Sequence, residues 1–136
     1  MAPALIWTRL VRCEYPKFTV VHDCGQVINP DGLKNQIEGN VIQTVSPTLL
    51  EEVTFNRSQV TSLDWASYPI LTFPQVPEIL IELIDRPTEK PWGAGEPSAA
   101  VIPSAISNAI FDATGVRLRS IPYTPAKVKT AMTNAI

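Results

Sequence analysis

Asn29-Pro30-Asp31-Gly32-Leu33-Lys34-Asn35-Gln36-Ile37-Glu38-Gly39-Asn40-Val41-Ile42-Gln43 reads as the start and body of a helix. Asn29 is a good cap and Pro30 a good first position, because proline lacks the N–H that a first turn leaves unpaired. Leu33, Ile37, Val41 and Val45 recur every four residues and form one apolar stripe. That stripe needs a partner layer, and the neighbouring segments supply candidates. Pro47 removes the backbone bond to Gln43, so the helix is expected to kink or stop there.

Upstream, Lys17 to Cys24 (KFTVVHDC) is rich in β-branched residues and reads as a strand with Phe18 and Val20 on one face. Gly25 to Pro30 is a turn. Residues 1 to 16 have no clear period and receive no assignment. Downstream, Glu52 to Phe55 and Gln59 to Ser62 predict a hairpin around Asn56-Arg57-Ser58, and Trp65 to Pro77 an ordered irregular loop. Glu78 to Ile84 (EILIELI) is apolar on both faces apart from Glu78 and Glu82, which predicts a well-covered strand. Arg86 to Pro97 reads as a loop. Pro103 to Thr114 predicts a helix with Ala105, Ile106, Ala109, Ile110 and Ala113 on one face and Gly115 as its cap. Leu118 to Ile121 predicts a last strand, and Thr124-Pro125 a terminal helix with Val128 and Met132. The layout is α+β, a mixed sheet with interleaved helices.

The chain has 136 residues, room for one domain, and 45% hydrophobic against 18% charged residues gives it a core. Eleven basic and 13 acidic residues are scattered without a basic stripe, which argues against nucleic acid and anionic membrane as partners. No apolar run approaches the roughly 20 residues of a membrane span, and the first residues do not read as a secretion signal. Cytoplasmic placement is the expectation, or periplasmic where a complete subunit carries an export signal.

Common catalytic signatures are missing. There is no GxSxG, phosphate loop, HExxH or GxGxxG after a strand, and one histidine cannot supply a Ser-His or Cys-His pair with support nearby. Cys13 and Cys24 make neither a disulfide framework nor a zinc site. His22 with Cys24 is two ligands at most, so no metal site is assigned and the thiols are placed in or near a core.

Two segments remain. With the apolar stripe turned inward, Gln36, Gly39, Asn40 and Gln43 share another helix face. Glycine within a helix costs about 1 kcal/mol relative to alanine, which something approaching the backbone closely would explain. The amides around that gap can donate and accept bonds to a polar ligand. Helix–helix packing at Gly39 beside solvated glutamines is the competing reading, and on the residues alone it stands slightly ahead. In the second segment, Gly93-Ala94-Gly95-Glu96-Pro97-Ser98, the glycines permit backbone angles closed to other residues and Pro97 stiffens the exit. A lone carboxylate is thereby held at the mouth of a small-residue helix. Desolvation there would suit it to general-base work, and a helix N-terminus would oppose this. A solvated loop glutamate near a helix start is the competing reading.

Taken in order, Asp23-Cys24-Gly25, Ile28-Asn29-Pro30-Asp31, Gln36 to Gln43, Glu51 to Phe55, Tyr68-Pro69-Ile70-Leu71, Gly93 to Glu96 and Ala109 to Gly115 make the chain recognisable. Over roughly residues 18 to 130 it resembles the C-terminal part of the molybdopterin-binding subunit of the xanthine dehydrogenase and aldehyde oxidase family. Within it, the chain is similar to the branch of nicotinate dehydrogenase and isoquinoline 1-oxidoreductase. The resemblance implies residues 17–136 as the C-terminal portion of a molybdopterin-binding domain. It implies Glu96 as the base beside molybdenum in the oxidative hydroxylation of an N-heterocycle or aldehyde, with water as the oxygen source. Gln36 would bond the pterin, Gly39 would give it close approach, and Gly93 and Gly95 would complete the cofactor-binding set. The cofactor implied is molybdopterin, in its cytosine dinucleotide form, with [2Fe-2S] clusters on a partner iron–sulfur subunit. Family members often have glycine where Thr44 stands and a residue other than proline at position 47, so the end of this helix is expected to differ. The family's other cofactor loops have no counterpart here. The remainder of the molybdenum subunit is therefore the expected partner, with a small-molecule substrate, and no cofactor is expected on this chain alone. The alternative is a non-catalytic assembly domain that keeps the family fold.

Overall fold

A computed structural model describes residues 17–134. The unassigned residues 1–16, with Cys13, lie outside the described residues. The order is strand β1 (Lys17–Asp23), helix α1 (Pro30–Leu49), a single 3-10 turn (Phe73–Gln75), strand β2 (Glu78–Ile84), and helices α2 (Gly95–Ala100), α3 (Ile102–Thr114) and α4 (Pro125–Asn134).

β1 and β2 pair in parallel, from Lys17 opposite Glu78 to Asp23 opposite Ile84. Parallel neighbours need a long crossover, and α1 with the 50–77 connection provides it. α1 begins as its sequence predicts: Asn29 is extended and its side-chain oxygen accepts the Gly32 N–H at 2.9 Å, with Pro30 opening the first turn. Its stripe makes the core. Ile37, Val41, Val45 and Ile102 are fully buried and Ala94 is buried beside them, and Phe18, Val20, Ile79, Ile81 and Leu83 of the sheet pack against this cluster. The interleaved α+β layout is therefore observed, with the sheet reduced to one parallel pair. The expected hairpin is present as a single antiparallel bridge, Phe55 to Val60, with Asn56 accepting from the Ser58 and Gln59 N–H groups.

Four expectations are corrected. Of the kink or stop expected at Pro47, the stop is not found: α1 runs two residues further, to Leu49. Only one intrahelical bond is forfeited near a C-terminus, and the end is held by Thr48 Oγ1 donating to Thr44 C=O and by Leu50 N–H donating to Ser46 C=O. β2 is covered on one face only: among the described residues nothing buries Leu80 and Ile84, or Val21 beside them on β1. Residues 118 to 121 form no strand; the chain runs irregularly and Tyr123 N–H caps the end of α1 by donating to Thr48 C=O. On α3 the buried residues are Ile102 and Ile110 with Ile106 half-buried, while Ala105, Ala109 and Ala113 are exposed. The Gly115 cap is as expected, left-handed at φ 72°. α4 starts at Pro125 after Thr124 and buries Val128.

Candidate functional site

The two segments singled out by sequence meet. Gly95 opens α2 and lies buried against the polar face of α1. A Cβ built on it would stand 3.2 Å from Nε2 of Gln36 and 3.4 Å from Nδ2 of Asn40. Gln36, Gly39 and Gln43 are exposed and Asn40 is half-buried, so the face that the helix period set apart from the core is a solvent-facing polar strip. Outside its own helix backbone and chain neighbours, no described residue lies within 4 Å of a Cβ built on Gly39, so no described helix packs against it there. Its backbone is left open to approach.

The Gly93 to Glu96 segment is corrected in detail. The helix starts at Gly95, so Gly95 and Glu96 belong to its first turn instead of a loop. Neither Gly93 nor Gly95 has a left-handed backbone; among the described glycines positive φ occurs only at Gly25 and Gly115. Gly95 is explained by space and not by conformation. Gly93 is exposed with open surroundings. Ser98 holds the turn from below, buried, its hydroxyl within 2.8 Å of the Ala94 and 2.7 Å of the Gly95 carbonyl oxygens. Glu96 faces solvent beside this fixed turn. Among the described residues nothing desolvates it.

The turn after β1 lies at the same end of the fold. Trp92 N–H, just before Gly93, donates to Cys24 C=O at 2.8 Å, and Arg86 N–H donates to Gly25 C=O at 3.1 Å. Gly25 is left-handed at φ 79°, and a Cβ there would collide with the carbonyl oxygen of Lys90. Val27 N–H donates to the Asp85 carboxylate at 3.0 Å. Loops leaving the carboxyl ends of both parallel strands are thus stitched together, and that end of such sheets is where ligands commonly bind. Asp23 accepts from Gly25 N–H and pairs with Arg86. The Gly25 bond chiefly, then Arg86, hold its carboxyl below the usual range against some desolvation. His22 and Cys24 are both buried, and Cys24 is a free thiol as expected. The described residues contain no group of three or more His, Cys, Asp or Glu able to hold a metal ion.

Asn40 stands in the sequence as one of the amides beside Gly39, and Ser98 without an evident role of its own. The signal for Asn40 is its spacing four residues after Gln36, whose carbonyl oxygen accepts from Asn40 Nδ2 at 2.8 Å. Ser98 carries no signal beyond its place after Pro97.

Comparison with known proteins identifies the family. The family described as the molybdopterin cofactor-binding domain matches residues 8–77, 70 of 136 residues, and the chain belongs to it. The chain is similar to a subunit of nicotinate dehydrogenase from Pseudomonas putida, 46% identical over 85% of this chain and 10% of that protein. It is also similar to the beta subunit of isoquinoline 1-oxidoreductase from Brevundimonas diminuta, 36% identical over 76% of this chain and 13% of that one. Among solved structures, quinoline 2-oxidoreductase from Pseudomonas putida 86 superposes with a TM-score of 0.76 at 31% identity, covering 86% of this chain and 16% of that one. The chain therefore spans between 10% and 16% of the length of these relatives. No helix among the described residues is long and apolar enough to cross a membrane.

Proposed function

We propose that the chain forms the C-terminal portion, residues 17–136, of the molybdopterin-binding part of a molybdenum hydroxylase, acting on an N-heterocycle or aldehyde within a larger assembly. The observation that carries this is the approach of Gly95 to Gln36, which sets a glycine-started turn bearing a carboxylate against an open polar helix face. Family membership supports the cofactor, and the names of the relatives support the substrate class. The residues present fit a polar cofactor. Gln36 offers both donor and acceptor from an exposed carboxamide, and Gly39 leaves its backbone face clear. When bound, molybdopterin with its metal supplies the two-electron oxidation of a carbon centre.

In this reading Gln36 hydrogen-bonds the pterin, Gly39 admits it, and Gly93 and Gly95 keep the adjoining turn free of side chains. Glu96 is the general base: its carboxylate oxygen would take up the proton of the water-derived oxygen as that oxygen bonds to carbon, while the hydrogen on that carbon would leave with its electron pair to the bound cofactor as two-electron acceptor. The Ser98 bonds fix the turn that carries it. The exposure of Glu96 and of Val21, Leu80, Ile84 and Trp92 matches a chain completed by the remainder of its subunit, which would exclude water from the base. The cytosine dinucleotide form of the cofactor and a [2Fe-2S] partner subunit to carry electrons away complete the proposal. Metal and pterin analysis of the protein purified with its native partners tests it. One molybdenum and one pterin per copy of this chain are expected. Protein free of both would leave an assembly domain as the reading.

A further inference from the structure

We propose that residues 53–73, in the connection between α1 and β2, form an apolar arm that docks on the remainder of the molybdenum subunit, an interface that rests on the larger assembly proposed above. Among the described residues, five large apolar side chains are exposed by three-quarters or more, and Phe55, Leu63, Trp65 and Phe73 of this arm are four of them. Between residues 53 and 76 the only charged side chains are Arg57 and Asp64, and four of the chain's ten aromatic residues stand there. Few charges and many aromatics mark the centre of a protein interface and set such a stretch apart from ordinary surface.

The arm is shaped without those side chains. Thr61 N–H donates to Thr54 C=O at 2.7 Å, and the two threonine hydroxyls lie 2.8 Å apart. Asp64 accepts from Ser67 N–H at 2.8 Å, and Gln75 Oε1 from Thr72 N–H at 2.9 Å. Its base is pinned to α1: the Tyr68 hydroxyl donates to the Glu51 carboxylate at 2.6 Å, Leu71 N–H to Ser46 Oγ at 2.9 Å, and the Leu71 side chain packs on the core. Local polar bonds hold the shape while the large apolar groups face solvent, so little ordering remains to oppose docking. In the nicotinate dehydrogenase and isoquinoline 1-oxidoreductase subunits the matched stretch, arm included, is 10% and 13% of one polypeptide. That points to the same subunit as the covering surface. An arm with so few charges needs permanent cover, and covalent continuity keeps that cover at high local concentration.

The test is thermal unfolding of the isolated chain and of the assembled enzyme, each as wild type and with Phe55→Ser, Trp65→Ser and Phe73→Ser combined. In the isolated chain the three side chains already stand in water, so its melting temperature should stay where it is. In the assembled enzyme the transition should fall by roughly 4 °C or more, the size expected when buried interface anchors are lost. An unchanged transition in the assembled enzyme overturns the inference. So does an equal fall in the isolated chain, which would mean that the arm serves its own fold. An isolated chain that sediments as a dimer, and as a monomer only after the substitutions, would name a second copy as the occupant and overturn it too. Molybdenum and pterin content is measured on the same preparations: an assembly free of both refutes the functional reading, while the melting comparison still decides the interface.

Discussion

Asp23, the last residue of β1, pairs with Arg86 beyond the end of β2, Arg86 Nε lying 3.0 Å from its carboxylate. This contact joins the two strand ends beneath the proposed site. Both groups are partly solvated, so screening keeps the pair modest, and its value is geometric: it holds the β1 turn against the loop that leads to Gly93.

That contact carries a pH signature. The folded carboxyl of Asp23 titrates below its ordinary value of 3.8, chiefly through Gly25 N–H and then Arg86. A depressed acid binds fewer protons folded than unfolded, so its stabilisation is complete above that value and is lost as pH falls through the folded one. Asp23→Asn should therefore melt lower than the parent at neutral pH, with the gap closing as pH falls below 3.8. Melting curves across pH check this; a gap independent of pH would show that the carboxylate is not what Gly25 and Arg86 hold.

Gly25 is required by both backbone and space. Gly25→Ala forces a side chain into a left-handed φ of 79° and against the Lys90 carbonyl. We expect a loss of more than about 1 kcal/mol, measured by urea denaturation, and weaker molybdenum retention in the assembled enzyme because the Trp92 loop is displaced.

The core is small, so its centre is sensitive. Ile37 is fully buried in the cluster that α1 forms with the sheet and Ala94, and Ile37→Ala should cost about 2–5 kcal/mol. Val21→Ala, on the open outer face of the sheet, should change the isolated chain by less than about 0.5 kcal/mol. Parallel denaturation curves compare them.

How much of this is legible in the sequence follows from which signals are local. The Asn29 cap, the four-residue stripe of α1 and the Gly115 cap depend on neighbours along the chain, and each is found where its pattern puts it. β2 shows the limit. Its apolar residues on both faces, Ile79 and Ile81 inward and Leu80 and Ile84 outward, read as a strand covered twice, but the described residues supply only one cover. Pro47 does not end α1 because a proline forfeits only its own bond, here to the Gln43 carbonyl, and bonds from Thr48, Leu50 and Glu51 carry the last turn past it. At the site, the Gln36 face and the Gly95 turn can each be picked out, though backbone freedom is the wrong reason for glycine at 95. The close approach of Gln36 and Asn40 to Gly95 is a tertiary contact that no local pattern encodes. The exposure of Glu96 is equally hidden, since what covers a carboxylate is set by elements distant in sequence or outside the chain.

The measurement closest to the central claim is single-turnover reduction of the metal centre by substrate, with wild type compared against Glu96→Gln in the assembled enzyme. Glutamine keeps the shape and reach of the side chain but cannot take up the proton. General-base catalysis is typically worth about 10²- to 10⁴-fold, so the reduction rate should fall by that factor while molybdenum content and melting temperature hold. A loss confined to the chemical step, with substrate affinity unchanged, is the form expected of a group that acts only in the transition state. Equal reduction rates in the two proteins would contradict the assignment of Glu96 as the base.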